Sequence, residues 1–192
     1  RTSFFIDQPS ATKRTANAVM CTPIHTVIAI TRRLSASNER SPGAGAAGDG
    51  IGNGRAAAIL FAREGARVLL VDRDIVLAEA TREMIAAEGG ESAALGANVA
   101  TEDGCRAMVE AAFSTWGRLD ILQNNVGVGS SGRVTHIEAT EWERVMRINV
   151  ESMMLAAKHA IPAMIASGNG GAIVNVSSIA SWRPTPVELV YG

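Results

Sequence analysis

The chain has 192 residues, of which 47% are hydrophobic and 19% are charged, and its formal net charge is −1. This length suits one domain with a sizeable core. The chain has no basic excess and only 4% aromatic residues, which excludes nucleic acid as the main partner. No apolar run is long enough to span a bilayer, so the sequence predicts no membrane partner either.

Cysteine and histidine usage indicates the compartment and the absence of a metal site. Cys21 and Cys105 are too few for a disulfide framework, and the three histidines share no metal-ligand spacing. We therefore predict a chain of the reducing cytoplasm that holds no metal. Residues 1–47 are rich in Arg, Ser and Thr and poor in acidic residues, which also fits a transit peptide, so organellar targeting stays open.

Residues 1–47 are predicted to form an N-terminal extension, either poorly ordered or an atypical first strand, because only residues 26–31 have a strand pattern. From residue 48 onward, helical and strand patterns alternate. The predicted helices cover residues 55–64, 75–88, 102–116 and 140–165. The predicted strands cover residues 68–71, 93–95, 119–122 and 172–176. Residues 68–71 are a continuous apolar run of the kind found in strands covered on both faces, and residues 172–176 are predicted as another buried strand. The alternation predicts an α/β fold, a Rossmann-like, doubly wound parallel sheet with helices on both faces.

Local signals mark several helix ends. Thr101 is the predicted N-cap of the third helix, and Gly117 is its predicted stop. Thr140 and Glu143 have the spacing of a capping box, which predicts that Thr140 caps the fourth helix. Pro162 predicts a kink within that helix.

A glycine-rich run precedes the first helix. Gly48, Gly52 and Gly54 let backbone amides approach a pyrophosphate, beside the positive end of a helix dipole. A flexible linker has a similar composition, so the glycine run by itself is weak evidence for a phosphate-binding loop. Asp72 ends the next predicted strand 18 residues after Gly54, where an acidic side chain can reach ribose hydroxyls. The other interpretation of Asp72 is an ordinary solvated carboxylate.

A second group of polar residues follows the later strands. Asn124 and Asn125 follow one strand, Ser177 and Ser178 follow another, and Tyr191 comes 13 residues after Ser178. In a doubly wound sheet, ligands bind beyond these strand ends. A hydroxyl and a phenol there can polarise a carbonyl and exchange its proton. The alternative is that Ser177 and Ser178 only form a turn and that Tyr191 is a half-buried aromatic residue.

From Gly48 to Tyr191 the sequence resembles the short-chain dehydrogenase/reductase family. The segments that carry this resemblance occur in the family's order and spacing over about three-quarters of the chain. They are Gly48-x-x-x-Gly52-x-Gly54, residues 61–68, Asp72, residues 117–122, Asn124-Asn125-Val126-Gly127, residues 148–150, residues 173–178 and Tyr191. The resemblance implies that residues 48–192 form a partial NAD(P)-binding Rossmann domain.

The resemblance also implies roles for individual residues. Ser178 would orient the substrate oxygen, Tyr191 would act as general acid or base, and Asn149 would hold a proton-relay water. Asp72 would favour NAD over NADP, while Arg73 beside it leaves NADP possible. Asn124 would steady the central sheet. The implied cofactor-binding residues are Gly48, Gly52, Asn53, Gly54, Asp72, Arg73, Asn98, Val99, Asn125, Val126 and Gly127.

The chain departs from the family pattern in several places. The family's catalytic lysine belongs four residues after the tyrosine, and the final helix and strand belong beyond it, whereas the chain stops at Gly192. Residues 37–47 give no apolar strand leading into the glycine run, and Asn98 stands where the family usually has Asp. From the missing lysine we expect little or no turnover, because that lysine lowers the pKa of the phenol.

The predicted function is an NAD(P)-dependent oxidoreductase that interconverts a secondary alcohol and a ketone, with a small-molecule substrate and a family-like homodimer or homotetramer. The chain itself is predicted to be a weakly active or inactive fragment. Two alternatives stay open: a non-catalytic nucleotide-binding or interaction module, and a methyltransferase, which also places a glycine-rich loop before an acidic strand end.

Overall fold

The computed structural model describes residues 26–30, 51–130, 132–168, 170–183 and 190. Within these residues, five parallel strands form one sheet in the order β3-β2-β1-β4-β5. The strands are β1 (Thr26–Ile30), β2 (Arg67–Asp72), β3 (Ser92–Gly96), β4 (Ile121–Asn124) and β5 (Ala172–Asn175). The helices are α1 (Asn53–Arg63), α2 (Ile75–Ala87), α3 (Glu102–Trp116), α4 (Ala139–Met146) and α5 (Ser152–Ala166). The predicted α/β class, parallel sheet and strand–helix alternation are confirmed.

Helices cover both faces of the sheet because successive strand residues point to opposite sides. Val27 and Ala29 of β1 pack with α1 and α2, whereas Ile28 packs with α3 and α5. β2 is also covered on both faces, since five consecutive residues from Val68 to Asp72 are buried. Such runs are typical of parallel strands covered on both faces, which is why the apolar pattern located β2 correctly.

β1 is the central strand of the sheet. The pattern of residues 26–31 predicted a strand, and Thr26–Ile30 forms one, paired with β2 on one side and β4 on the other. Residues 31–50, which connect it to α1, lie outside the described residues. The division of the chain at residue 48 stays a prediction.

Three predictions about local structure are wrong. Thr140 does not cap its helix, because α4 begins one residue earlier with Glu138 as the N-cap and no side-chain capping bond. The helical segment is also divided, since a π-helix at Arg147–Glu151 separates α4 from α5. The predicted buried strand 172–176 is largely exposed. β5 is the edge of the described sheet, and among the described residues only Ile173 of its apolar run packs against a core cluster, so the strand lacks the cover that β2 has on both faces.

The ends of α3 agree with the sequence prediction. The Thr101 hydroxyl accepts a hydrogen bond from the Gly104 amide at 3.2 Å. Gly117 ends the helix at φ 72°, a left-handed conformation that glycine adopts at little cost. None of the helices that the structure describes is both long and apolar enough to cross a membrane.

Candidate functional site

The carboxyl ends of the parallel strands meet at one edge of the sheet. β2 ends at Asp72, β4 at Asn124 and β5 at Asn175. The chain winds outward from β1 to β3 and then crosses to β4 on the other side, so the direction reverses between β1 and β4. A crevice at such a reversal is where doubly wound sheets bind ligands. The fold therefore brings the sequence-predicted site residues of β2, β4 and β5 to one edge.

The N-terminus of α1 offers unpaired backbone amides at this edge. The first bond of the helix runs from the Ala56 amide to the Gly52 carbonyl at 2.9 Å. The amides of Asn53, Gly54 and Arg55 precede that bond and have no intrahelical acceptor. Gly52 is the N-cap and contributes no side-chain bond, so the end of the helix is not closed by its own residues. Such an end favours an anion such as a phosphate. Gly48 lies outside the described residues.

Asp72 occupies the end of β2 and is 5% exposed. Its Oδ1 accepts a hydrogen bond from the Asp74 amide at 2.9 Å, and Asp74 in turn caps α2 by accepting from Val76 at 3.1 Å. Arg73 between them is exposed. The carboxylate is therefore held in a fixed position at the sheet edge, where it can accept from hydroxyl groups and repel a second anion.

The turn after β3 is held in place by α3. The Asn98 side chain accepts from the Ala100 amide at 3.2 Å, and the Thr101 hydroxyl donates to the Asn98 carbonyl at 2.8 Å. Val99 is buried, and its carbonyl accepts from the Cys105 thiol at 3.2 Å. Burial raises the pKa of the Cys105 thiol to about 11, so the thiol stays a proton donor at neutral pH.

The loop after β4, residues 125–130, is tied to the helical segment that follows it. The Asn149 side chain accepts from the Val128 amide at 2.8 Å and donates to the Val128 carbonyl at 3.0 Å. Asn149 lies in the π-helix at Arg147–Glu151. Asn124, at the end of β4, donates from Nδ2 to Oδ1 of Asn175 on β5 at 2.8 Å. The side-chain amides of Asn124 and Asn149 therefore hold the end of β4 and the loop after it in place.

Ser178 follows β5 and caps a short 3₁₀-helix. Its hydroxyl oxygen accepts from the Ala180 amide at 3.2 Å, which leaves the hydroxyl hydrogen available to another acceptor. Val190 is buried in an apolar cluster with Val128 and Val145. Tyr191, the next residue in the chain, lies outside the described residues.

Besides the bonds between Asn149 and Val128, two further contacts at the site were not predicted from the sequence. Arg144 donates from its guanidinium to the Gly129 carbonyl at 3.0 Å, and Asn175 is the partner of Asn124. The spacing of Glu141 and Arg144 indicates an ion pair on one helix face, but it does not show which loop that face contacts. The hydrogen bond from Arg144 lowers the pKa of the Glu141 carboxyl.

Comparisons with known proteins give the family. The model of the short chain dehydrogenase family matches residues 45–192. An uncharacterized oxidoreductase of Thermotoga maritima is 37% identical over 144 residues, which are 75% of this chain and 56% of the relative. A cyclohexanol dehydrogenase of an Acinetobacter species is 37% identical over 134 residues, which are 69% of this chain and 53% of the relative.

A solved structure has the same fold. The crystal structure of a short chain dehydrogenase from Mycobacterium smegmatis superposes with a TM-score of 0.74 at 27% identity, covering 95% of this chain and 69% of the other. The chain spans about half the length of the curated relatives named above. The match of most of the chain to the family model and the parallel sheet with its glycine-flanked helix agree, and the chain belongs to the short-chain dehydrogenase family.

Proposed function

We propose that this chain is the nucleotide-binding part of an oxidoreductase that interconverts a secondary alcohol and a ketone with NAD. The observation that carries the proposal is the position of the α1 N-terminus and Asp72 at one sheet edge. Members of this family generally bind NAD(P). The unpaired amides of α1 suit the pyrophosphate, and Asp72 suits the adenosine ribose, so the residues present fit a dinucleotide.

The preference for NAD depends on charge at the end of β2. Asp72 is fixed by the Asp74 amide, and a 2′-phosphate beside its carboxylate would be repelled. Arg73 is exposed next to it and could offset part of this repulsion. In this proposal the adenine is bound by Asn98 and Val99. The nicotinamide half is bound by Asn125, Val126 and Gly127. The phosphates are bound by Gly48, Gly52, Asn53 and Gly54.

The proposed chemistry is divided between Ser178 and Tyr191. The nicotinamide, when bound, would supply the hydride acceptor in oxidation as NAD and the hydride donor in reduction as NADH. Ser178 donates its free hydroxyl hydrogen to the substrate oxygen and so fixes its position. Tyr191 exchanges the proton of that oxygen, giving it in reduction and taking it in oxidation. Asn149 holds the loop at Val128 and is the proposed residue for a proton-relay water.

The substrate is proposed to be a small secondary alcohol or ketone. One relative is named a cyclohexanol dehydrogenase, which makes an alicyclic alcohol the first compound to test. A homodimer or homotetramer of the family type and a cytoplasmic location are part of the same proposal. The competing candidate is a non-catalytic nucleotide-binding module, which would need the α1 and Asp72 features but not Ser178.

Calorimetric titration of the chain with NAD, NADP and S-adenosylmethionine tests the cofactor. We expect NAD to bind about tenfold more tightly than NADP, a difference of about 1.4 kcal/mol. Asp72→Asn should reduce this preference, because the amide can keep the bond to Asp74 without the charge. Asp103→Asn, which removes an exposed carboxylate on α3, is the matched control. Binding of S-adenosylmethionine alone would contradict the proposal in favour of a methyltransferase.

A turnover assay with cyclohexanol and NAD separates the oxidoreductase from the binding module. Turnover that Ser178→Ala abolishes, with NAD binding kept, supports the proposed roles. Little or no turnover is expected of this chain, so NAD binding without turnover does not by itself favour the module, whereas turnover that Ser178→Ala leaves unchanged would contradict the role of Ser178.

A further inference from the structure

Three exposed ion pairs on helices share the same spacing, but one of them differs in its contacts. Glu79–Arg82, Asp103–Arg106 and Glu141–Arg144 each join a carboxylate to an arginine three residues later. Among the described residues, only Arg144 of these three arginines also donates to a carbonyl of another segment, that of Gly129 at 3.0 Å. A plain surface pair contributes little, so this additional bond needs its own explanation.

The Arg144 guanidinium is oriented by two bonds to Glu141. Its Nε and Nη2 each donate to one carboxylate oxygen at 2.7 Å, and Nη2 uses its second hydrogen for the Gly129 carbonyl. Two parallel bonds of this kind fix the plane of a guanidinium. The third bond therefore reaches Gly129 from a held donor, which makes it directional.

The bond to Gly129 lies in a row of contacts along one face of α4 and the π-helix. Val145, the residue after Arg144, is buried against Val128 and Val190. Asn149 holds the amide and the carbonyl of Val128. Two consecutive residues of the loop 125–130, Val128 and Gly129, are therefore held by contacts from this helical segment. The apolar cluster of Val128 and Val145 also contains Val190, the residue that precedes Tyr191.

We infer that Arg144 is a positioning residue that sets the loop 125–130 beside the nicotinamide half of the cofactor. This inference rests on the proposed function, which assigns Asn125, Val126 and Gly127 to that half. Arg144 touches neither cofactor nor substrate in this arrangement. It acts by holding the Gly129 carbonyl, two residues after Gly127, while the adenosine half is held by α1 and β2 at the other side of the reversal.

The test compares NADH with ADP-ribose, which lacks the nicotinamide, as ligands of the whole 192-residue chain. For Arg144→Ala we expect NADH binding to weaken about tenfold, the loss typical of one hydrogen bond to a charged group, with ADP-ribose binding unchanged. Arg144→Lys should recover part of the NADH affinity, because an ammonium can still donate to Gly129. Arg82→Ala removes a pair of the same spacing and similar exposure and should change neither affinity.

Amide hydrogen exchange of residues 125–130 gives a second measurement that needs no ligand. Arg144→Ala should speed exchange of the Val128 amide about tenfold, whereas Arg82→Ala should leave it unchanged. Unchanged exchange, or equal weakening of NADH and ADP-ribose, would overturn the inference. A wild-type chain that binds neither ligand would instead refute the proposed function, and the exchange measurement would still decide the role of Arg144.

Discussion

Replacing Gly104 with alanine tests how α3 is placed against the turn after β3. Gly104 is the third residue of the helix, and a Cβ built there overlaps the carbonyl oxygen of Asn98 and lies 2.7 Å from its carbonyl carbon. Both groups are backbone, so neither can move aside as a flexible side chain would. Helix propensity alone predicts the opposite sign, because alanine is favoured over glycine by about 1 kcal/mol within a helix.

The contacts around Asn98 set the expected magnitude. Its carbonyl accepts from the Thr101 amide at 3.1 Å and from the Thr101 hydroxyl at 2.8 Å. Moving the carbonyl weakens two bonds of about 1 kcal/mol each, and the residual crowding adds about 1–3 kcal/mol. After subtracting the propensity gain, Gly104→Ala should lower the free energy of unfolding by about 2–4 kcal/mol.

Urea denaturation followed by circular dichroism measures this loss. Gly129→Ala is the control, since no atom lies within 4 Å of a Cβ built there and its φ is not in the left-handed range. The control should stay within about 1 kcal/mol of wild type. Because Asn98 and Val99 are proposed for the adenine side, Gly104→Ala should also weaken ADP-ribose binding. A Gly104→Ala chain at least as stable as wild type would refute the reasoning.

Three further predictions concern α3 and its neighbours. Thr101→Ala should lower the free energy of unfolding, measured in urea, by about 1 kcal/mol because the N-cap bond is lost. Thr101→Ser keeps a hydroxyl at that position and should retain most of this stability. The unfolded Cys105 thiol ionises near pH 9.0 and the folded one near 11, so stability should fall as the pH rises through this window. Urea midpoints measured at pH 8 and at pH 10.5 give the size of this fall, and the difference between them should be smaller for Cys105→Ala than for the wild type. The Glu102 pKa is lowered, chiefly by the hydrogen bond from Lys158, so its contribution is present above the unfolded pKa of 4.5 and lost as the pH falls below it. Glu102→Gln should therefore reduce the loss of stability between pH 7 and pH 4, and an unchanged loss would contradict this assignment.

Most secondary structure could be predicted from the sequence because its signals are local. The buried apolar run of β2, the Thr101 cap and the Gly117 stop each depend on a few adjacent residues. The exposure of β5 could not be predicted in the same way. An apolar run shows that a strand can be buried, whereas its position in the sheet decides whether neighbours bury it.

The same distinction between local and long-range features applies to the candidate site. By itself, the sequence determined the family, the glycine-flanked start of α1 and the acidic end of β2, because each is a short pattern of residue types. Only the tertiary structure placed Thr26–Ile30 at the centre of the sheet, fastened Val128 to Asn149 and brought Arg144 to Gly129. These contacts join residues 15 or more positions apart, and such pairings depend on how whole elements pack rather than on the identity of adjacent residues.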